Sequence, residues 1–162
     1  MKIWFDTEFI DDGKTIDLIS IGMVREDGAT YYAQSADCDL NRANEWLKDN
    51  VFPLLSTGSE NWISRTTIAR NVREFAGDRP EFWAYYSDYD WVALCQLYGS
   101  MNHLPERWPM FCLDLQQLVY HAGNPKLPAQ TTLEHHALND ALWTRDAYLW
   151  LRDKFHNERV PL

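Results

Sequence analysis

Three apolar, β-prone segments lie within Lys2–Gln34, parted only by turn residues, and this arrangement constrains the fold more than any other feature. Lys2–Asp6 is strand-forming and runs on to a Gly/Asp turn at Asp11–Gly13. Thr15–Arg25, TIDLISIGMVR, follows as a second strand; Glu26-Asp27-Gly28 reads as a hairpin turn and Ala29–Gln34 returns as a third strand. Parallel neighbours need a crossover of a dozen residues or more, whereas turns this short join only antiparallel strands. The chain therefore opens as an antiparallel meander.

Beyond the meander, helical and strand patterns alternate. Asn41–Asn50 reads as a helix, as does Thr66–Phe75, which carries Arg70 and Arg73 on one face. Glu81–Tyr86 is a short apolar run of strand type. It precedes a predicted helix over Asp90–Tyr98, with Gly99 suited to end it. Met110–Leu113 and Asp114–His121 form a second strand–helix unit, with Asp114 at the helix start. Gly123–Gln130, which contains Pro and Gly, is predicted to be a mobile loop, and the last helix is predicted over His136–Phe155. Antiparallel strands first and alternating strands and helices after them predict an α/β fold. It is a mixed sheet, antiparallel and then parallel, flanked by α-helices. No repeat, low-complexity tract or linker divides the chain, so residues 1–162 are expected to form a single domain.

Charge narrows the function. The formal net charge is −9, whereas a protein that coats long nucleic acid through its phosphates carries a basic stripe. That role is disfavoured. An enzyme that grips one strand end through bound cations is not, because cations reverse the local charge. The three cysteines, Cys38, Cys95 and Cys112, are widely spaced and include no CxxC, so neither a zinc ribbon nor a disulfide framework is implied. Acidic residues as early as Asp6 do not suit a secretory signal, and no apolar run approaches membrane length. The expectation is a soluble, cytoplasmic protein with no membrane association.

Three constellations carry chemistry. In Asp6-Thr7-Glu8 the two acids stand two apart on a strand and share a face, where they repel unless a cation lies between them. In His135-His136-Ala137-Leu138-Asn139-Asp140, His135 and Asp140 converge only if the histidine lies on the loop entering the last helix. A neutral histidine there is a suitable proton acceptor near neutral pH. Spacing alone leaves His136 as an alternative. The third constellation is Asp90, placed after an apolar strand where a loop can bring an acid to the sheet edge, with Asp88 as its rival. Taken singly, a solvated strand end or a helix cap explains each of them.

Together, in this order, they resemble the DEDDh group of 3′–5′ exonucleases, which has a ribonuclease-H-like fold. The resemblance selects His135 over His136 and Asp90 over Asp88. Four longer segments are similar to the polyadenylate-specific exoribonuclease group of bacteria and their phages: DTEFIDDGKTIDLISIGMVREDG, YYAQS, DYDWVALCQLYG and HHALNDA. One departure is Tyr85-Tyr86, which stands where many superfamily members have His-Asn before the acid, so contacts of that Asn are not carried over. The resemblance implies that Asp6, Glu8, Asp90 and Asp140 bind two Mg²⁺ or Mn²⁺ ions, that Glu8 lies beside the nucleophile, and that His135 takes the proton from the attacking water. It implies hydrolysis from RNA 3′ ends, adenylate tails in particular, releasing nucleoside 5′-monophosphates, and a homodimer. Phe9, directly after the acids, is a candidate contact for the terminal base. Arg70 and Arg73 are either phosphate contacts or a solvated helix face. The alternatives are a 3′–5′ exonuclease on single-stranded DNA, with the same residues, and an RNA-binding module with a decayed site. The five retained acid and histidine positions disfavour the module. A His-Asp-type metal phosphohydrolase is disfavoured because no His-Asp dipeptide occurs.

Overall fold

The computed structural model describes residues 1–158. Its centre is a six-stranded sheet in the order β4-β3-β2-β1-β5-β6. β1 (Lys2–Asp11), β2 (Ile16–Arg25) and β3 (Thr30–Ser35) form the antiparallel meander. β4 (Trp62–Ile63) joins β3 in parallel, while β5 (Glu81–Ala84) and β6 (Leu113–Asp114) extend the other side in parallel from β1. Five α-helices flank the sheet: α1 (Glu45–Asn50), α2 (Arg65–Ala76), α3 (Asp88–Gln96), α4 (Leu115–His121) and α5 (Ala137–Glu158). The fold is mixed α/β, as the segment order predicts, and it is consistent with a ribonuclease-H-like architecture.

Turn chemistry sets the meander. Asp12 accepts from the Lys14 and Thr15 amides, closing the first turn. Asp27 accepts from the Ala29 amide at the second, where Gly28 takes φ 88°. β2 is buried along nearly its whole length, as a strand covered on both faces must be. On one face Ile3, Phe5, Ile21 and Met23 pack with Ile68 and Val72 of α2 and Ala93 and Leu94 of α3. On the other, Trp4, Val24 and Trp83 meet Ala141 of α5, and Ile10 and Ile19 meet Leu47 of α1. Leu115 and Val119 of α4 pack against Ala147 and Leu151 of α5.

Several boundaries differ from the sequence expectation. Asn41–Asn50 is not one helix, because two caps divide it. Asp39 accepts from the Asn41 amide and starts a 3-10 turn over Leu40–Arg42, whereas Asn44 accepts from the Leu47 amide and starts α1. The strand expected over Met110–Leu113 shrinks to Leu113–Asp114. Its partner β5 ends at Ala84, and Asp114 is committed to capping α4 through the Gln116 and Gln117 amides. α3 starts two residues earlier than expected, so Asp90 lies inside its first turn rather than opening it. The short strand β4 has no pattern of its own to announce it. Among the described residues no helix is long and apolar enough to cross a membrane. Residues 159–162 of the expected single domain lie outside those described.

Candidate active site

Where β1 runs past its last pairing with β5, that edge of the strand has no neighbouring strand, and the acids gather there. Trp4 pairs with Trp83, the last β1 contact to β5, while Asp6 and Glu8 lie opposite Gly22 and Ser20 of β2. Gly22 decides what can approach. A Cβ built on it falls 2.2 Å from the Leu138 nitrogen and 2.4 Å from the Ala137 carbonyl oxygen, so only glycine lets the first turn of α5 rest on the strand. That contact delivers Asp140 to the level of Asp6.

His135 lies just outside α5 with φ 66°, in the left-handed region, and its N–H donates to Asp140 Oδ2 at 2.8 Å. The ligand-capable atoms of Glu8, His135 and Asp140 lie within 4.8 Å of one another. The loop placement that lets His135 and Asp140 converge is the one observed. His136 takes another path: its ring stacks flat on Tyr32, with centroids 4.6 Å apart and planes 17° apart. Trp46 of α1 meets His135 edge-on at 4.8 Å.

Asp90 reaches the same place from α3. Its Oδ1 accepts from the Thr7 N–H at 2.8 Å and from Thr7 Oγ1 at 2.6 Å. Thr7 points away from its two acidic neighbours because alternate residues of a strand face opposite ways, and it thereby ties the strand to the helix. Asp88, two residues earlier, is exposed, whereas Asp90 is buried. Asp140 is held a second time by Gln130, whose Nε2 donates to Oδ1 at 2.6 Å. Gln130 belongs to the loop before α5, which is also fastened where Trp143 Nε1 donates to the Pro128 carbonyl at 3.0 Å.

Four carboxylates crowd together here, Glu8 and Asp90 buried and Asp6 and Asp140 half-buried. Burial pushes Asp6 well above the ordinary carboxylate range, and Asp90, Glu8 and Asp140 push it further. Glu8 rises to about 8, from burial first and then Asp140 and Asp90. Asp90 rises to about 6 through burial, although the two Thr7 hydrogen bonds pull it down. Asp140 is raised by burial against the opposing pull of Gln130 and His135. No basic side chain is among the groups acting on Asp6 or Glu8. A set of oxygen donors whose charges lack a counter-charge fits a hard divalent cation such as Mg²⁺ or Mn²⁺ better than zinc.

This crowding has a measurable consequence without metal. Each of these acids binds its proton more tightly folded than unfolded. Their contribution to stability is therefore complete below the unfolded values near 4 and is lost as pH rises through about 6 for Asp90 and about 8 for Glu8. Burial lowers the pKa of His136, which opposes the trend through a single group. Urea unfolding in a chelator should therefore show lower stability at pH ~8 than at pH ~5.5, with a slope on the order of 1 kcal/mol per pH unit. Stability that rises over that interval contradicts the shared burial of the acids.

Other expected residues lie elsewhere. Arg70 and Arg73 are exposed on α2, which packs on the opposite face of the sheet, and they line a separate hollow with Glu74, Asp78 and Glu106. Phe9 is half-buried against Tyr89, with centroids 5.6 Å apart. Sequence reasoning missed Gly22, Thr7, Gln130 and Trp46. Of these only Gly22 leaves a signal, as a lone glycine inside an apolar strand.

Comparison with known proteins follows this geometry. The family model described as the 3′-5′ exoribonuclease Rv2179c-like domain matches residues 1–150. The chain is 45% identical over 146 residues to the 3′-5′ exoribonuclease Rv2179c of Mycobacterium tuberculosis strain H37Rv, with 87% of each chain covered. The same figures hold for the 3′-5′ exoribonuclease MT2234.1 of strain CDC 1551. A solved structure titled as the yeast NOT1 MIF4G domain co-crystallised with CAF1 aligns with TM-score 0.47 at 13% identity, covering 93% of this chain and 80% of that one. That likeness is too distant to argue from. Two relatives matched over most of their length and a family model spanning nearly the whole chain agree, and the chain belongs to the 3′-5′ exoribonuclease Rv2179c-like domain family.

Proposed function

We propose that this protein is a metal-dependent 3′–5′ exoribonuclease of DEDDh type on a ribonuclease-H-like fold. It hydrolyses RNA from the 3′ end to nucleoside 5′-monophosphates and prefers adenylate tails. One observation carries the reading: the buried Glu8 and Asp90 and the half-buried Asp6 and Asp140 gather at one place with no basic partner acting on Asp6 or Glu8, and His135 borders it.

The four carboxylates are the residues that would hold two Mg²⁺ or Mn²⁺ ions. Such ions, when bound, supply an activated water and neutralise charge on the departing 3′-oxygen. The remaining work falls to side chains. Thr7 and Gln130 fix the orientation of Asp90 and Asp140 by occupying one oxygen of each. His135 accepts the proton of the attacking water as the new bond to phosphorus forms and the bond to the 3′-oxygen breaks. Trp46, edge-on to the imidazole, restrains its ring. Glu8 adjoins His135 and Asp140 and so lies on the side of the nucleophile. Phe9, backed by Tyr89, offers an aromatic surface for the terminal base. The acids of an uncharged-partner site repel a phosphodiester, so substrate binding itself depends on the cations.

RNA is favoured over DNA because the family and both curated relatives are named for exoribonuclease activity. Adenylate preference and a homodimer rest on the resemblance of the four quoted segments alone, the long DTEFI…LISIG block above all. Matched 3′-end homopolymers of RNA and DNA, incubated with added Mg²⁺ or Mn²⁺, test the proposal. Oligoadenylate RNA should be shortened fastest and release AMP. Equal rates on oligodeoxyadenylate favour the DNA reading, and binding without product release favours a module with a decayed site.

A further inference from the structure

Tyr86 lies in the left-handed region, at φ 57°, where the Cβ of any residue but glycine is crowded. β5 has ended at Ala84 and α3 begins at Asp88, so the chain turns from strand to helix within a few residues. Hydrogen bonds hold that turn. The Ser87 N–H donates to Asp114 Oδ2 at 2.8 Å, and the Trp91 N–H donates to the Ser87 carbonyl at 2.8 Å. Glycine or asparagine would adopt the same backbone at less cost. Burial does not account for a tyrosine here, because Tyr86 is 63% exposed. Strain that packing does not explain gathers at functional sites.

The ring adjoins the acid site without belonging to the acid cluster. It lies against Tyr85, with centroids 4.6 Å apart, and Tyr85 lines the same hollow as Asp6, His135 and Asp140. Asp90 is four residues further on, in the first turn of α3. Catalysis as described above does not use Tyr86, and Tyr85-Tyr86 is where the sequence departs from the pattern it otherwise resembles. We propose that Tyr86 is a stacking contact for a base of the bound RNA strand and sets the affinity for that strand. The inference rests on the exoribonuclease reading and adds a grip on the strand besides the reacting phosphate. With a net charge of −9 and no basic side chain acting on Asp6 or Glu8, the site attracts phosphates only through cations. Stacking on an exposed ring is not opposed by that charge. Every base has a π face, so the contact holds an unpaired strand of any sequence and does not select adenine.

Wild type, Tyr86→Phe and Tyr86→Gly provide the test, each measured for kcat and KM on an oligoadenylate with added Mn²⁺ and for urea unfolding in a chelator. Glycine removes the ring and the strain together. Its KM should rise about tenfold or more, with kcat within about twofold of wild type and the unfolding midpoint no lower. Phenylalanine keeps the aromatic face, so its KM should stay within about twofold of wild type. Tyr86→Asn repeats the loss of the ring in a residue that tolerates the backbone, should the glycine variant fail to fold. A KM unchanged on loss of the ring overturns the proposal. So does a phenylalanine variant as impaired as the glycine one, which assigns the effect to the hydroxyl. A fall in kcat with KM unchanged, or a lower midpoint with kcat and KM both impaired, makes Tyr86 a support for Asp90 and also overturns it. No cleavage of the oligoadenylate by wild type overturns the exoribonuclease reading, and the contact with it.

Discussion

Asp6→Asn should lower hydrolysis by more than about a hundredfold while making the metal-free protein more stable. The two effects have one origin. Asp6 lies at the focus of the cluster, raised by burial and by three other carboxylates, so its charge is costly without a counter-charge. Asparagine keeps the shape and removes the charge. Losing a group that only supports a metal ligand costs about 10–100-fold, so losing Asp6, a ligand in the proposed function, should exceed that. Folding has the opposite interest, because neutralising a crowded buried acid removes repulsion. Turnover and urea unfolding in a chelator, measured on the same preparations, separate the two. Undiminished turnover contradicts the role given to Asp6. Lower stability in chelator contradicts the electrostatic account of the cluster.

Gly22→Ala should be almost as damaging, through geometry alone. The added Cβ meets backbone atoms of Ala137 and Leu138 at 2.2–2.4 Å, and backbone cannot rotate away as a side chain can. Gly58 makes the contrast. Its added Cβ would meet only the carboxylate end of the Glu60 side chain, which can move, so Gly58→Ala should be mild. At Gly22 the start of α5 must shift, and His135 and Asp140 shift with it. A stability loss of about 1–3 kcal/mol or more is expected, with activity falling further than stability because the site depends on the helix position. Unchanged unfolding of Gly22→Ala contradicts the close approach of α5 to β2.

These two residues also mark what can be read without coordinates. Strand periodicity suffices to put Asp6 and Glu8 on one face, and the turn residues at Asp11–Gly13 and Glu26-Asp27-Gly28 suffice for the meander, because both are local. The choice of His135 over His136 is not local. It depends on Tyr32, far away in sequence, offering the ring on which His136 stacks. Asp88 and Asp90 are likewise distinguished only by the Thr7 amide and hydroxyl that one of them reaches. Gly22 acquires its role from the β1–β2 register and the path of α5 together, and Gln130 from the fold of a loop without periodic pattern. Composition alone leaves the eight tryptophans as core or stacking residues. The structure divides them, with Trp4 and Trp83 in the core and Trp46 exposed beside His135.

The central claim is that the buried acids form a cation-dependent centre that cuts RNA from its 3′ end. The most direct measurement follows the product released from an oligoadenylate by chelator-treated protein, before and after adding Mg²⁺ or Mn²⁺. The expected result is no product in chelator and stepwise release of AMP carrying a 5′-phosphate once the ion is restored. Hydrolysis that continues in chelator, or products that carry a 3′-phosphate, would contradict it.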